Sequence, residues 1–131
     1  MAALGFIVAV ALGGALGASL RYVAEVWGVR RLGTAWPYGT FAVNMLGSLI
    51  LGGLTGLALV ADLPHTLTLF LGMGFCGALT TFSSFALQIA DLARGDDQNV
   101  GALTLRSFSY AAVSLGAGLL CAAAIPLLMG D

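Results

Sequence analysis

Four apolar runs, each long enough to cross a bilayer as a helix, follow one another along the chain with only short polar breaks between them. They cover residues 4–27, 38–60, 66–93 and 103–129. A spanning helix needs about 20 mainly apolar residues, because a rise of about 1.5 Å per residue must cover about 30 Å of hydrocarbon. The breaks at 28–37, 61–65 and 94–101 are short, so neighbouring helices must run antiparallel. The expectation is an all-α membrane protein with one four-span domain over residues 1–131.

The rest of the composition agrees with lipid as the solvent. Hydrophobic residues make up 60% of the chain and charged residues 8%, against about a quarter charged in an ordinary soluble domain. The net charge is −1 and no basic run is present, so nucleic acid is not an expected partner. The first run lacks a basic start and continues past any plausible cleavage site, and it reads as a retained span, not a signal peptide. Cys76 and Cys121 lie in apolar stretches without C-x-x-C spacing and read as small packers. His65, after Pro64 in a polar break, reads as a loop residue.

Many of the 19 glycines fall at small-xxx-small spacing, including Gly13 with Gly17, Gly14 with Ala18, and Gly52 with Gly56. In lipid this spacing lets helix backbones approach closely. The glycine faces exceed what four short helices need, which predicts oligomerisation. Arg30, Arg31 and Arg94 fall in the first and third breaks, placing those loops in the cytoplasm and both termini outside by the positive-inside rule.

Polar groups inside lipid are costly and mark function. In the second span Thr40, Asn44 and Ser48 share one helix face, and in the fourth Ser107, Tyr110, Ser114 and Gly118 do the same. Arg21, toward the end of the first span, can snorkel to an interface or line a wet vestibule. A single serine or threonine can instead bond the carbonyl four residues earlier, and Asn44 can instead bridge two helices. No Asp or Glu lies deep in a span. Glu25 is near a helix end, and Asp62, Asp91, Asp96, Asp97 and Asp131 are at edges, loops or the terminus. Proton-driven exporters and cation pores place a carboxylate in the membrane. Neutral amide and hydroxyl donors suit a small anion better.

The third span holds the most informative stretch, GMGFCGALTTFSSF at 72–85. Three glycines followed by two threonines and two serines favour an interrupted helix. An interruption at membrane depth survives only where protein or a cavity covers it, and its freed carbonyls suit a hard cation such as sodium. Phe82 and Phe85 follow at three-residue spacing, and an aromatic edge is positive enough to face an anion. In isolation, such a pair is more often lipid-facing or core packing.

Three stretches, GALGASLRY at 14–22, PYGTFAVN at 37–44 and GFCGALTTFSSF at 74–85, give the chain a resemblance to the Fluc (CrcB) family of bacterial fluoride channels over nearly its whole length. The resemblance implies a multi-pass protein of the bacterial inner membrane with a broken third helix, assembled as an antiparallel, dual-topology homodimer. It implies fluoride pores along the dimer interface, with Asn44 donating to the ion, Phe82 and Phe85 supplying ring edges, and Tyr110 and Ser114 beginning a polar track. Arg21 is expected in the vestibule. A structural Na+ is expected at the carbonyls of Gly77 and Thr80 from both subunits. The implied activity is passive export of cytoplasmic fluoride, which reduces its toxicity.

Two departures from the family pattern stand out. Gly118 occupies a position where the polar track often carries a hydroxyl, leaving Thr81 and Ser84 to supply it. The loop arginines favour one side, which opens pairing with an oppositely biased homologue as an alternative to the homodimer. Fluoride is small and strongly hydrated, so a pore must replace its water without trapping it, which neutral donors do better than a ring of arginines. The competing reading is a small multidrug-type, proton-coupled exporter, which needs a carboxylate in the first helix. A structural membrane subunit would not need the 80–85 cluster. No nucleophile, base and orienting group come together, so an enzyme is not expected.

Overall fold

Helix α1 (Ala2–Leu32) runs past the end of its apolar stretch because its last turn is well terminated. Arg30 and Arg31 place cations at the negative end of the helix dipole. Gly33 then takes φ 82° and ψ −171°, a backbone state closed to most side chains, and its N–H bonds the Val29 carbonyl at 3.1 Å. In this computed structural model residues 1–94 and 100–129 are described, the side chains of 100–104, 125, 126 and 129 apart. Most of the third expected break, with Asp96 and Asp97, and the terminal Asp131 lie outside the described residues.

Helix α2 (Tyr38–Val60) begins after Pro37 and ends where Ala61 turns extended. Pro64 starts the third span, which is composite: α3 (His65–Thr68), a π-helical segment π1 (Leu69–Cys76), and α4 (Gly77–Leu79). Thr80 then leaves helical geometry with φ −77° and ψ 151°, and α5 (Phe82–Arg94) follows. The last helix, α6, spans Val100–Met129. Glycines 72, 74 and 77 all stay helical, and the non-helical residues are the threonines.

The glycines act by allowing close approach. A Cβ on Gly13 would meet the Phe70 carbonyl, one on Gly17 the Phe75 carbonyl, and one on Gly74 would come within 2.7 Å of the Val10 carbonyl. Helix α1 and π1 therefore pack backbone against backbone. Gly52 does the same for α2 against Ala122 of α6. These contacts lie within one protomer, so the glycine spacing at 13, 17 and 52 is explained without a second copy.

Helix α2 lies along α6, and α5 packs on α6 beside it. Four helical stretches are long and apolar enough to cross a membrane: Ala2–Leu32, Tyr38–Val60, His65–Arg94 and Leu105–Ala124. Large apolar side chains such as Ile7, Leu59 and Leu119 point outward, while the interior holds Val43, Leu79, Phe85 and Tyr110 together with the polar Thr40, Thr81, Ser107 and Ser114. Apolar outside and selectively polar inside is the arrangement of a multi-pass membrane protein.

Candidate functional site

The site is organised by one side-chain amide reaching across the bundle. Asn44 of α2 accepts the Thr81 N–H on Oδ1 at 2.8 Å and donates from Nδ2 to the Thr81 carbonyl at 3.2 Å. Both backbone groups of the non-helical residue are thereby satisfied, which lipid could not do. The Thr81 hydroxyl accepts the Ser84 N–H at 3.2 Å, the N-cap pattern that starts α5, and shares a hydrogen bond with Ser83 Oγ at 3.2 Å. Thr80 Oγ1 donates to the Cys76 carbonyl at 2.8 Å, a back-bond made from the residue that caps α4.

These bonds have a consequence for two other carbonyls. In a continuous α-helix Gly77 O would accept from Thr81 N–H, and Thr80 O from Ser84 N–H. The first donor goes to Asn44 and the second to the Thr81 hydroxyl. Gly77 and Thr80 thus lose their helical donors, and their oxygens are hard ligands of the type a hard cation prefers.

A groove of about 430 Å³ opens beside this point, and its lining brings together Asn44, Thr81, Phe82, Phe85 and Ser114 with Gly77 and Thr80. The buried Ser114 Oγ lies near the Tyr110 phenol yet makes no hydrogen bond of good geometry. Asn44 Nδ2 carries two hydrogens and uses one on Thr81. Both residues line the groove, with Ser114 Oγ buried behind its surface. Phe82 is 75% exposed and Phe85 6%, with ring centroids 5.7 Å apart and tilted by 50°. Gly118 also lines the groove and brings no hydroxyl of its own, but Ser48 of α2 lines it too, its Oγ 3.7 Å from where a Cβ on Gly118 would stand.

Three expected residues lie elsewhere. Ser84 and Tyr110 are outside the groove lining, and Arg21 is half-buried on α1 outside the lining of both cavities described here. Tyr110 is fully buried, its ring 5.4 Å from Phe85 on one side and edge-on to Trp36 at 5.1 Å on the other. Its hydroxyl donates to Gln88 Oε1 at 2.9 Å, and Gln88 Nε2 donates to Thr40 Oγ1 at 2.7 Å.

This hydrogen-bonded chain borders a second cavity of about 510 Å³, at the end of the bundle where residues 33–37 connect α1 to α2. Thr40 and Gln88 line it, as do Trp36, Glu25, Asp91 and Arg106. Sequence reasoning missed Gln88 and Arg106 and gave Glu25 no role. The signal for Gln88 was present: Phe82, Phe85 and Gln88 recur at three-residue spacing on one side of α5.

A sequence model of the family described as CrcB-like protein, Camphor Resistance (CrcB), matches residues 8–125. The chain belongs to this family. The match spans every residue that lines the two cavities. The chain is similar to the fluoride-specific ion channel FluC of Hyphomonas neptunium, 45% identical over 113 residues that cover 85% of this chain and 84% of that one. It is 43% identical to FluC of Acidobacterium capsulatum over 112 residues, 85% of each chain. To FluC 1 of Nitrobacter hamburgensis it is 40% identical over 116 residues, 87% of this chain and 92% of the relative. Its CrcB-like relatives thus align along most of both sequences.

Proposed function

We propose that this chain is a fluoride-selective, passive ion channel that lets fluoride leave the bacterial cytoplasm and so reduces its toxicity. The observation that carries the reading is the groove whose lining brings the Asn44 amide, the hydroxyl-bearing Ser48, Thr81 and Ser114, and the Phe82 and Phe85 rings together. The family model matches across that groove, and relatives named fluoride-specific ion channels are 40–45% identical over most of the chain. Neutral donors replace part of fluoride's hydration, and ring edges add weak positive potential without a charge strong enough to hold the ion. Thr81 extends the track within the groove, while Ser84, Tyr110 and Arg21, expected to take part, stand outside its lining and act on the path only from behind it.

In the same reading two copies pair antiparallel in the inner membrane, with dual topology. What supports pairing is that the groove's polar lining and the exposed Phe82 would otherwise face hydrocarbon, where unpaired polar groups are costly. The carbonyls of Gly77 and Thr80 from both copies would hold a structural Na+ ion. Its support is the diversion of both carbonyls' helical donors to Asn44 and to the Thr81 hydroxyl. Bound there, the ion supplies fixed positive charge to the interface. Ion conduction is not an enzymatic activity. The exporter alternative is not favoured, because the relatives are named fluoride-specific ion channels.

The test is passive efflux from liposomes containing the purified protein, comparing fluoride with chloride. Rapid fluoride loss with chloride retained is expected. Equal leakage of both ions, or of neither, would overturn the reading.

A further inference from the structure

We infer that Glu25 sets the rate at which fluoride reaches the pore, by holding an unpaired negative charge at its mouth that Arg106 offsets. The inference rests on the channel reading and concerns the second cavity, not the groove. The two cavities share a partition. Thr40 and Gln88 face the mouth, Phe85 faces the groove, and the buried Tyr110 joins them through its phenol bond to Gln88 and its ring contact with Phe85. The mouth cavity is the polar space on the other side of this partition from the groove, and the proposed ion path continues into it.

Three charged side chains line that cavity, Glu25 from α1, Asp91 from α5 and Arg106 from α6. Within the lining, two carboxylates against one guanidinium leave an excess of one negative charge on the cavity wall, with Arg30 and Arg31 in the last turn of α1 outside it. Glu25 dominates for two reasons. Asp91 and Arg106 are both exposed at the rim and well screened, whereas Glu25 Oε1 is buried and has no hydrogen-bond partner. Glu25 is also close enough to act electrostatically on the Tyr110 phenol, at the partition itself. Among the described residues neither Arg106 nor Arg21, one turn earlier on α1, forms an ion pair with it. Tyr38 is the remaining titratable group around the cavity.

A unit charge a few ångströms away across wet space changes the local concentration of a monovalent anion by roughly two- to fivefold. The experiment is fluoride efflux from liposomes at neutral pH, at low and high concentrations of an impermeant salt. Glu25→Gln, nearly isosteric, is expected to raise the fluoride rate by roughly two- to fivefold at low salt, with the gain fading as salt screens the charge. Arg106→Gln is expected to lower it at low salt by less than Glu25→Gln raises it, because the exposed guanidinium is already partly screened. Asp62→Asn, which removes an acid outside this cavity, should leave it unchanged. A wild-type protein that carries fluoride at a rate equal to that of Glu25→Gln under low salt would overturn the role of Glu25 alone. So would a Glu25→Gln gain that is indifferent to salt, or an Arg106→Gln rate no lower than wild type. Absence of fluoride efflux from the wild type would instead overturn the channel reading beneath it.

Discussion

Replacing Asn44 with alanine separates two jobs that the structure assigns to one side chain. If Asn44 were only a donor to fluoride, the loss would reduce flux and leave the fold intact. The geometry requires more, because its amide makes both hydrogen bonds to the Thr81 backbone, at 2.8 Å and 3.2 Å. Removing it strands one N–H and one C=O in a low-dielectric interior, and each stranded group costs about 1–3 kcal/mol. Part of that is recoverable, since Thr81 N–H can turn to the Gly77 carbonyl and extend α4. A net loss of about 2–4 kcal/mol is expected, which lowers the unfolding midpoint by roughly ten degrees for a chain of this size. Thermal unfolding in detergent measures this directly. Asn44→Asp keeps an acceptor for Thr81 N–H while losing the donor to Thr81 O, and should fall between wild type and alanine in stability while abolishing fluoride flux. An Asn44→Ala protein as stable as wild type would refute the clamp.

Phe82→Ile and Phe85→Ile should each abolish fluoride efflux. Phe85→Ile should also destabilise the protein by about 1–2 kcal/mol, because its ring is buried against Tyr110. Unchanged flux in both would show that the rings do not face the ion. Tyr110→Phe removes the bond to Gln88 at a cost of about 1–2 kcal/mol, and the double variant with Gln88→Leu should cost less than the sum of the two, by double-mutant analysis of unfolding. Strict additivity would contradict the coupling. Gly13→Ala and Gly17→Ala push a methyl into backbone carbonyls and should cost about 1–3 kcal/mol or more, whereas Gly5→Ala and Gly116→Ala meet open space and should be neutral or slightly stabilising. Equal effects at all four in thermal unfolding would refute the close-packing account.

Much was legible before any coordinates. The membrane spans follow from the lengths of the apolar runs, because hydrocarbon thickness and helical rise leave little freedom. The motif at 74–85 marked the third span as unusual, and the polar faces at 40, 44 and 48 and at 107, 110 and 114 follow from helical spacing. What spacing cannot reveal is the partner of each polar group. Asn44 meets Thr81 from 37 residues away, and that bond, not the glycines, defines where helical bonding stops. Gly13, Gly17 and Gly52 looked available for a second copy until packing showed them against carbonyls of the same chain. Gln88, Glu25 and Arg106 gain their roles from one cavity that no local pattern encodes. A side chain's apolar or polar character acts through the solvent around it and can be read one residue at a time. Whether a donor or a charge is left open depends on which other groups the fold carries to it, and only tertiary structure decides that.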